Sequence, residues 1–359
     1  KETDEAYLGE VIKVAVNPDC VKQVADEFKL VYTPFHGAGY RLVPEILRRL
    51  GYKHIICEPE QMKIDGDFPT VKNPNPEYKE GFTLAIELAK QNDVDLIIGT
   101  DPDCDRMGAA VPDGDGYKLL TGNEMGVLLL DYIITARRRK GTLPENAAAI
   151  STIVTSKMVR RICDVNDIHF DETFTGFKFM AEKLAEYQRD GSYQYVLAFE
   201  ESYGYMMGDY VRDKDAVTAC VMITEMAAYY FEQGMTLAQA LDALYEKYGF
   251  YGERTLNLVM PGLDGLEKMR ALMAQLRREP LQEIAGTKVV RMRDYQDGSV
   301  YVMGLGKMDK TPISGSNVLY FELDDGCSFI VRPSGTEPKI KVYILGVGAT
   351  RSECDERVQ

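Results

Sequence analysis

The sequence predicts an α/β protein: two α/β domains, each a mixed sheet flanked by helices, followed by a C-terminal α+β domain with an antiparallel sheet. Three observations carry this. Through the first two thirds of the chain, short apolar runs rich in β-branched and aromatic residues alternate with helical stretches, the pattern of βαβ units. Beyond Glu253 the strands crowd together, and turn signals such as Asp324-Asp325-Gly326 replace crossover helices. Finally, 359 residues exceed what one core usually organises, at roughly 100–200 residues per domain. The expected division is residues 1–118, 119–252 and 253–359.

Along the chain, the opening KETDEAYLGEVIKVAV reads as helix. Strands are expected at Lys29–Tyr32, His54–Cys57, Asp95–Gly99 and Gly108–Val111, with helices at Leu42–Arg49 and Pro76–Lys90, around a mostly parallel sheet. The stretch DGDFPTVKNPNPE is dense in Pro, Asp and Asn and has no period, so it is a long irregular loop of the kind that tends to serve function. A second series places strands at Ala147–Ile150, His169–Glu172 and Tyr195–Phe199, with helices at Ser156–Val165, Phe177–Arg189, Asp215–Glu232 and Leu237–Tyr248. The last third reads as a strand at Arg254–Met260 and an amphipathic helix at Leu263–Arg278, then strands at Val289–Arg293, Val318–Glu322, Ser328–Val331 and Lys339–Leu345. Ser352–Gln359 looks like a helix cut short, and the first residue is Lys1, so an internal piece of a longer chain is expected.

With 42 Lys+Arg against 56 Asp+Glu, the net charge is −14. Such a chain lacks the broad cationic surface that draws nucleic acid or anionic lipid, and neither is an expected partner. Its apolar runs fall well short of the ~20 residues a bilayer span needs. Seven cysteines are scattered with no C-x-x-C pair and no secretory leader before them, which points to reduced thiols and a cytoplasmic protein. Oligomeric state leaves no mark in the sequence.

The sharpest chemical feature is GTDPDCDR, residues 99–106, at the carboxyl end of a predicted strand, where open α/β sheets bind ligands. Asp101, Asp103 and Asp105 can turn toward one point and ligate a hard divalent cation such as Mg²⁺. An EF-hand would need Gly and Glu where Arg106 and Pro112 stand. The plain alternative, an acidic turn capping the strand, has to tolerate three like charges within five residues. Arg106 sets a permanent cation beside this cluster, suited to a phosphate.

A second constellation, FIVRPSGTEPK at residues 329–339, combines Gly335, the hydroxyls of Ser334 and Thr336, and the charges of Arg332 and Lys339. Those are the ingredients of an anion nest, although a simple turn between strands also satisfies the string. A third, FEESYGY at residues 199–205, offers acids, a hydroxyl and aromatic faces after a strand, as a sugar site would, or else a solvated loop. Lys178 in TGFKF and Lys214 in RDKD would ordinarily be exposed cations. The loop TPFHGAG could cradle an anion, but tight packing explains it equally, and His36 in it reads as structural.

Taken in order, TPFHGAGY, GTDPDCDRMG, TGFKFM, FEESYGYM, RDKDA and RPSGTEPKIKVY resemble the α-D-phosphohexomutases, in particular the phosphoglucomutase/phosphomannomutase branch, from about Lys29 to the end of the chain. The resemblance implies four domains around a cleft, of which this sequence holds the last three. It implies Asp101, Asp103 and Asp105 as Mg²⁺ ligands, Arg106 as a substrate contact near the metal, and Lys178 as a cleft cation. Glu200 and Ser202 would bind sugar hydroxyls, while Arg332, Ser334, Gly335 and Thr336 would hold the phosphate that is not transferred, with Lys214 and Lys339 adding local positive charge. Many members have Gly on both sides of the Glu-Glu-Ser core, where Phe199 and Tyr203 stand here.

Family members also carry a phosphorylated serine in a Ser-His-Asn type loop of their first domain. No Ser-His pair occurs in this sequence, since His36, His54 and His169 follow Phe35, Lys53 and Ile168. The expected activity is therefore phosphoryl transfer between C1 and C6 of a hexose phosphate, through a serine outside this chain and a bisphosphate intermediate, with Mg²⁺ as cofactor and a glucose 1,6-bisphosphate-type activator. The fragment alone is expected to be inactive. Other readings are phosphopentomutase activity, a non-catalytic phosphosugar-binding protein, and a metal-dependent phosphatase with Asp101 as nucleophile.

Overall fold

A computed structural model describes residues 2–262, 264–334 and 338–359. The chain divides into two compact units, one running to Thr155 and from Val159 to Lys247, the other taking Ser156–Met158 and Tyr248–Gln359.

The first unit opens with α1 (Glu2–Val11) and α2 (Pro18–Val24), whose proline sits in the first turn, where a missing N–H leaves no bond unmade. A sheet is then built from β1 (Lys29–Thr33), α3 (Leu42–Leu50), β2 (His54–Cys57), α4 (Thr83–Asn92), β3 (Leu96–Thr100), β4 (Met107–Asp113) and β5 (Gly116–Leu119). Its order is β2-β1-β3-β4-β5, parallel among the first three and antiparallel at β4 and β5. β3 lies in the middle, so all five of its residues are buried and LIIGT reads as an unbroken apolar run instead of an alternating one. On α3, Val43, Ile46, Leu47 and Leu50 recur at helical spacing and are buried, and Gly51 closes the helix at φ 117°. Phe35 and Phe82 meet edge to face at 5.1 Å beneath the sheet, each fully buried and contributing about 1.5–3 kcal/mol by burial alone.

A second sheet follows α5 (Gly122–Lys140): β6 (Ala147–Thr152), α6 (Met158–Asn166), β7 (His169–Thr173), α7 (Phe177–Asp190), β8 (Gln194–Glu200) and β9 (Gly204–Met206), then α8 (Ala216–Glu232) and α9 (Leu237–Tyr248). Its order is β7-β6-β8-β9, with β9 antiparallel. α7 turns Phe177, Met180, Leu184 and Tyr187 onto this sheet. α8 packs against α2, α3 and α5, so it joins the two sheets into one unit. Buried Glu225 on α8 ties these elements further, accepting from the amides of Val16 and Asn17 at 3.1 and 2.9 Å and from the Tyr132 hydroxyl at 2.8 Å.

The second unit contains β10 (Phe250–Val259), α10 (Gly265–Arg278), β11 (Glu283–Ile284), β12 (Thr287–Asp294), β13 (Ser299–Val302), β14 (Gly306–Lys310), β15 (Leu319–Leu323), β16 (Ser328–Pro333), β17 (Lys339–Gly348) and α11 (Arg351–Val358). All of its strand pairings are antiparallel, in the order β10-β17-β16-β15-β12-β13-β14, with β11 on β12. Met269 and Met273 of α10 pack onto Val289, Phe321 and Ile340 of the sheet.

The α/β and α+β architecture agrees with the sequence reading, and several elements differ from it. α5 has no counterpart in the expected elements, because its residues are buried almost all round, which erases the helical period. The helix expected at Pro76–Lys90 is a 3₁₀ turn at Lys79–Phe82 followed by α4, because the Asn75 side chain accepts from the Glu77 amide and holds a turn there. β5, β9, β11, β13 and β14 are short or hairpin strands with no long apolar run. Leu263, expected to start a helix, lies outside the described residues.

Candidate active site

β3 delivers Thr100 and Asp101 to the carboxyl end of the first sheet, and the next five residues fold back on Asp101. Its Oδ1 accepts from the amides of Asp105 at 3.0 Å and Arg106 at 2.8 Å, while the Cys104 amide donates to the Asp101 carbonyl at 3.0 Å. Cys104 takes φ 60° to make the reversal. One oxygen from each of Asp101, Asp103 and Asp105 then lies within 4.8 Å of the others. Burial pushes the Asp101 carboxyl up to about 7; the charges of Asp105 and Asp103 add to the effect and the two backbone N–H bonds oppose it. An all-oxygen, carboxylate-rich cluster of this kind, with Asp101 buried, Asp105 half-buried and Asp103 exposed, fits a hard divalent cation such as Mg²⁺, whose charge would offset the repulsion. The Arg106 Nε lies 4.0 Å from Asp101 Oδ2 and 3.9 Å from Asp105 Oδ1.

Three separated loops meet here. Arg106 forms a backbone bridge with Gly204, and the Met107 amide donates to the Tyr203 carbonyl at 3.1 Å, so the acidic loop is stitched to the Glu-Glu-Ser loop. Lys214 reaches in from the segment before α8 and pairs with Asp105 Oδ2 at 2.7 Å. Burial is the largest single influence on Lys214 and opposes its charge, but the bond to Asp105 together with the charges of Asp105 and Asp213 raises the ammonium pKa overall. The neighbouring Asp215 caps α8, accepting from the amides of Val217 and Thr218, and its carboxylate also accepts from the hydroxyls of Tyr7 at 2.7 Å and Tyr210 at 2.8 Å. The Ala216 amide donates to the Cys104 carbonyl at 3.1 Å, which fixes this cap directly on the acidic loop.

Glu200, at the end of β8, is 6% exposed. Its Oε1 accepts a short bond from the Gly176 amide and its Oε2 accepts from the Ser202 hydroxyl at 3.3 Å. Gly176 stands at φ 122° immediately before α7, so Glu200 holds the turn that starts the helix. Lys178, in the first turn of α7, is exposed and lies 4.7 Å from the Phe179 ring centroid. A Cβ on Gly122, at the start of α5, would stand 2.1 Å from the Glu201 carbonyl, so glycine is needed where this helix approaches the loop.

The loop TPFHGAG serves packing. A Cβ on Gly37 would stand 2.3 Å from Pro102 Cα, and the Ala38 amide donates to the Pro102 carbonyl at 2.7 Å. Both ring nitrogens of His36 are engaged at 2.8 Å, with the Lys63 carbonyl and the Thr70 hydroxyl, which anchors the long irregular loop. The structural reading of His36 holds.

In the second unit, Arg332 lies near the end of β16 with Nη1 3.4 Å from the Tyr343 hydroxyl, and the Ser334 amide donates to the Lys339 carbonyl at 2.8 Å across the turn into β17. Gly335 and Thr336 lie outside the described residues. Sequence reasoning missed Tyr7, Tyr210 and Asp215. An N-cap signal was visible for Asp215, since an aspartate precedes an apolar helix. Nothing local flags Tyr7, which is 208 positions from its partner.

Residues 5–114 match the family description "Phosphoglucomutase/phosphomannomutase, alpha/beta/alpha domain II", residues 121–248 match "alpha/beta/alpha domain III", and residues 257–352 match "C-terminal domain" of the same family. The chain belongs to the phosphoglucomutase/phosphomannomutase family of α-D-phosphohexomutases. A phosphoglucomutase of Staphylococcus saprophyticus is 35% identical over 347 residues, which cover 95% of this chain and 60% of that protein. The chain thus spans about three fifths of the length of this curated relative. Among solved structures, a putative phosphomannomutase from Thermus thermophilus has a similar fold, with a TM-score of 0.67 at 16% identity over 99% of this chain and 64% of its own. The open form of the Paramecium phosphoprotein pp63/parafusin, described as a phosphoglucomutase, gives a TM-score of 0.65 at 18% identity over 98% of this chain and 60% of its own.

Proposed function

We propose that this chain supplies the metal- and sugar-phosphate-binding parts of a phosphohexomutase that moves a phosphoryl group between C1 and C6 of a hexose phosphate. The observation that carries the reading is the Lys214–Asp105 pair at 2.7 Å, which locks the acidic loop to the α8 cap while a backbone bridge joins it to the sugar loop. Asp101, Asp103 and Asp105 are the ligands for Mg²⁺. When bound, Mg²⁺ supplies Lewis-acid neutralisation of charge on phosphoryl oxygens.

The residues of the chain position and compensate charge. Lys214 holds Asp105 in place and is a positioning residue. Arg106 and Lys178 offer cations to the phosphate, and Glu200 with Ser202 orients sugar hydroxyls while fixing the turn before α7. Arg332, Ser334, Gly335, Thr336 and Lys339 hold the phosphate that stays in place; such a site reads phosphate and not sugar, as an intermediate that must bind either way round requires. The sequence contains no Ser-His pair, and the proposed relay serine lies outside these 359 residues. In the forward leg its O–P bond breaks as a sugar hydroxyl oxygen bonds to phosphorus, and the hydroxyl proton ends on the departing serine oxygen; in the return leg the serine oxygen bonds to the phosphorus at the other end of the bisphosphate, that sugar O–P bond breaks, and the serine proton ends on the sugar oxygen. The proposed domains are residues 1–118, 119–252 and 253–359.

The test is conversion of glucose 1-phosphate to glucose 6-phosphate, with glucose 1,6-bisphosphate as activator and Mg²⁺ present. This chain alone is expected to give no turnover and a protein extended upstream to a Ser-His-Asn loop to give it. Turnover by the chain alone refutes the serine assignment.

A further inference from the structure

Two adjoining cavities of about 170 and 330 Å³ open in the first unit, and both are lined by Arg137, Val196, Gly208 and Asp209. They lie at the start of β8, whereas Glu200 ends it. Val196, which lines both cavities, stands four residues before Glu200 on this strand, about 13 Å away at ~3.3 Å per residue.

Arg137 belongs to three successive arginines at the end of α5. Two are engaged: Arg138 donates to the Asn166 side chain at 2.8 Å and Arg139 to the Tyr229 hydroxyl at 2.6 Å. Arg137 alone of the three turns into the cavities. Among the described residues no hydrogen bond or ion pair reaches its guanidinium, not even from Asp209, and burial lowers its pKa. A half-buried guanidinium without an acceptor is costly unless a ligand supplies one. The side chains around it engage one another. Tyr193 stacks on His169 at 3.8 Å, the Tyr195 hydroxyl donates to the Gly208 carbonyl, and Arg212 holds the carboxamide oxygen of Gln188 at 2.6 Å, leaving the Gln188 NH₂ group for a ligand oxygen.

We propose that this cleft binds a small phosphate ester carrying hydroxyl groups, its phosphate on Arg137 and Gln188 and its hydroxyls toward Asp209. The fork of Arg137 matches two phosphate oxygens, and an exposed carboxylate on the same wall suits hydroxyl donors. The inference stands apart from the proposed phosphohexomutase activity.

The test uses the full chain with glycerol 3-phosphate as probe and glycerol as control. Phenylglyoxal labelling of Arg137, mapped by mass spectrometry, is expected to slow at least fivefold on saturation with glycerol 3-phosphate and not with glycerol. Arg137→Gln is expected to weaken glycerol 3-phosphate binding at least tenfold in calorimetry, and to melt no lower than the parent chain without ligand. Unchanged labelling of Arg137, including the case of binding elsewhere on the chain, overturns the proposal. So does unchanged affinity in Arg137→Gln, or a markedly lowered melting temperature, which would make Arg137 a structural residue.

Discussion

Asp101 does two jobs with one carboxylate: Oδ1 closes the acidic loop through two amides, and the carboxylate also presents an oxygen within 4.8 Å of oxygens of Asp103 and Asp105. Asp103 has no such backbone duty among the described bonds, so Asp103→Asn isolates ligation from loop folding. In the upstream-extended protein this variant is expected to lose roughly 10–100-fold of the Mg²⁺-dependent rate, by comparison with the loss on disturbing a metal site's supporting groups; unchanged kinetics count against the ligand assignment. Glu225 tests electrostatics away from the site. Burial raises its pKa against three opposing hydrogen bonds, and its Oε2 has no hydrogen-bond partner. A carboxyl whose folded pKa is raised binds its proton more tightly when folded, so its contribution to stability falls as pH rises from the usual carboxylate range through the raised value. Glu225→Gln keeps an oxygen for the Val16 and Asn17 amides and removes the charge. Chemical denaturation across pH 4–8 is expected to show the parent losing stability relative to Glu225→Gln as pH rises, and parallel curves would contradict this. The aspartate triad was legible in the sequence because its members fall within five consecutive residues, whereas the partners of Glu225 are set by folding alone.

At the scale of elements, α1 reaches the site through Tyr7, whose hydroxyl meets the carboxylate that caps α8. Tyr7→Phe removes that bond and keeps the ring, which lies edge to face with Tyr210 at 6.1 Å. The expected loss is about 1 kcal/mol of stability. Mg²⁺ affinity is expected to weaken several-fold, because the Asp215 cap carries Lys214 against Asp105; an affinity equal to the parent's would show that the cap is not coupled to the acidic loop. Elements with a clear period were readable: α3 and α7 repeat apolar residues at helical spacing. α5 was not, since Leu128, Leu129 and Leu130 are all buried whichever way they face. Its start was marked all the same. Thr121 accepts from the Glu124 amide at 3.1 Å and Glu124 accepts from the Thr121 amide at 2.8 Å, the capping box that T-G-N-E encodes.

At the scale of the molecule, a net charge of −14 and a proposed anionic substrate are reconciled by local cations. Arg106 and Lys214 stand among the aspartates, and a focused field within a cleft outweighs total charge. The order of layers was readable from alternating periods, yet the joining of both α/β sheets into one unit was not, because it depends on α8 being buried on the face toward α2 and α3 as well as toward its own sheet. The motif order along the chain made the family legible before any geometry; the bonds from Tyr7 and Tyr210 to the Asp215 cap became visible only once distant loops were brought together.

The most direct measurement is calorimetric titration of Mg²⁺ into the full chain at pH 8, above the value near 7 to which burial lifts Asp101. One saturable site per chain is predicted, abolished in Asp101→Asn and Asp105→Asn while both variants remain folded by circular dichroism. Absence of Mg²⁺ uptake by the parent chain, or equal uptake by folded variants, would contradict the account.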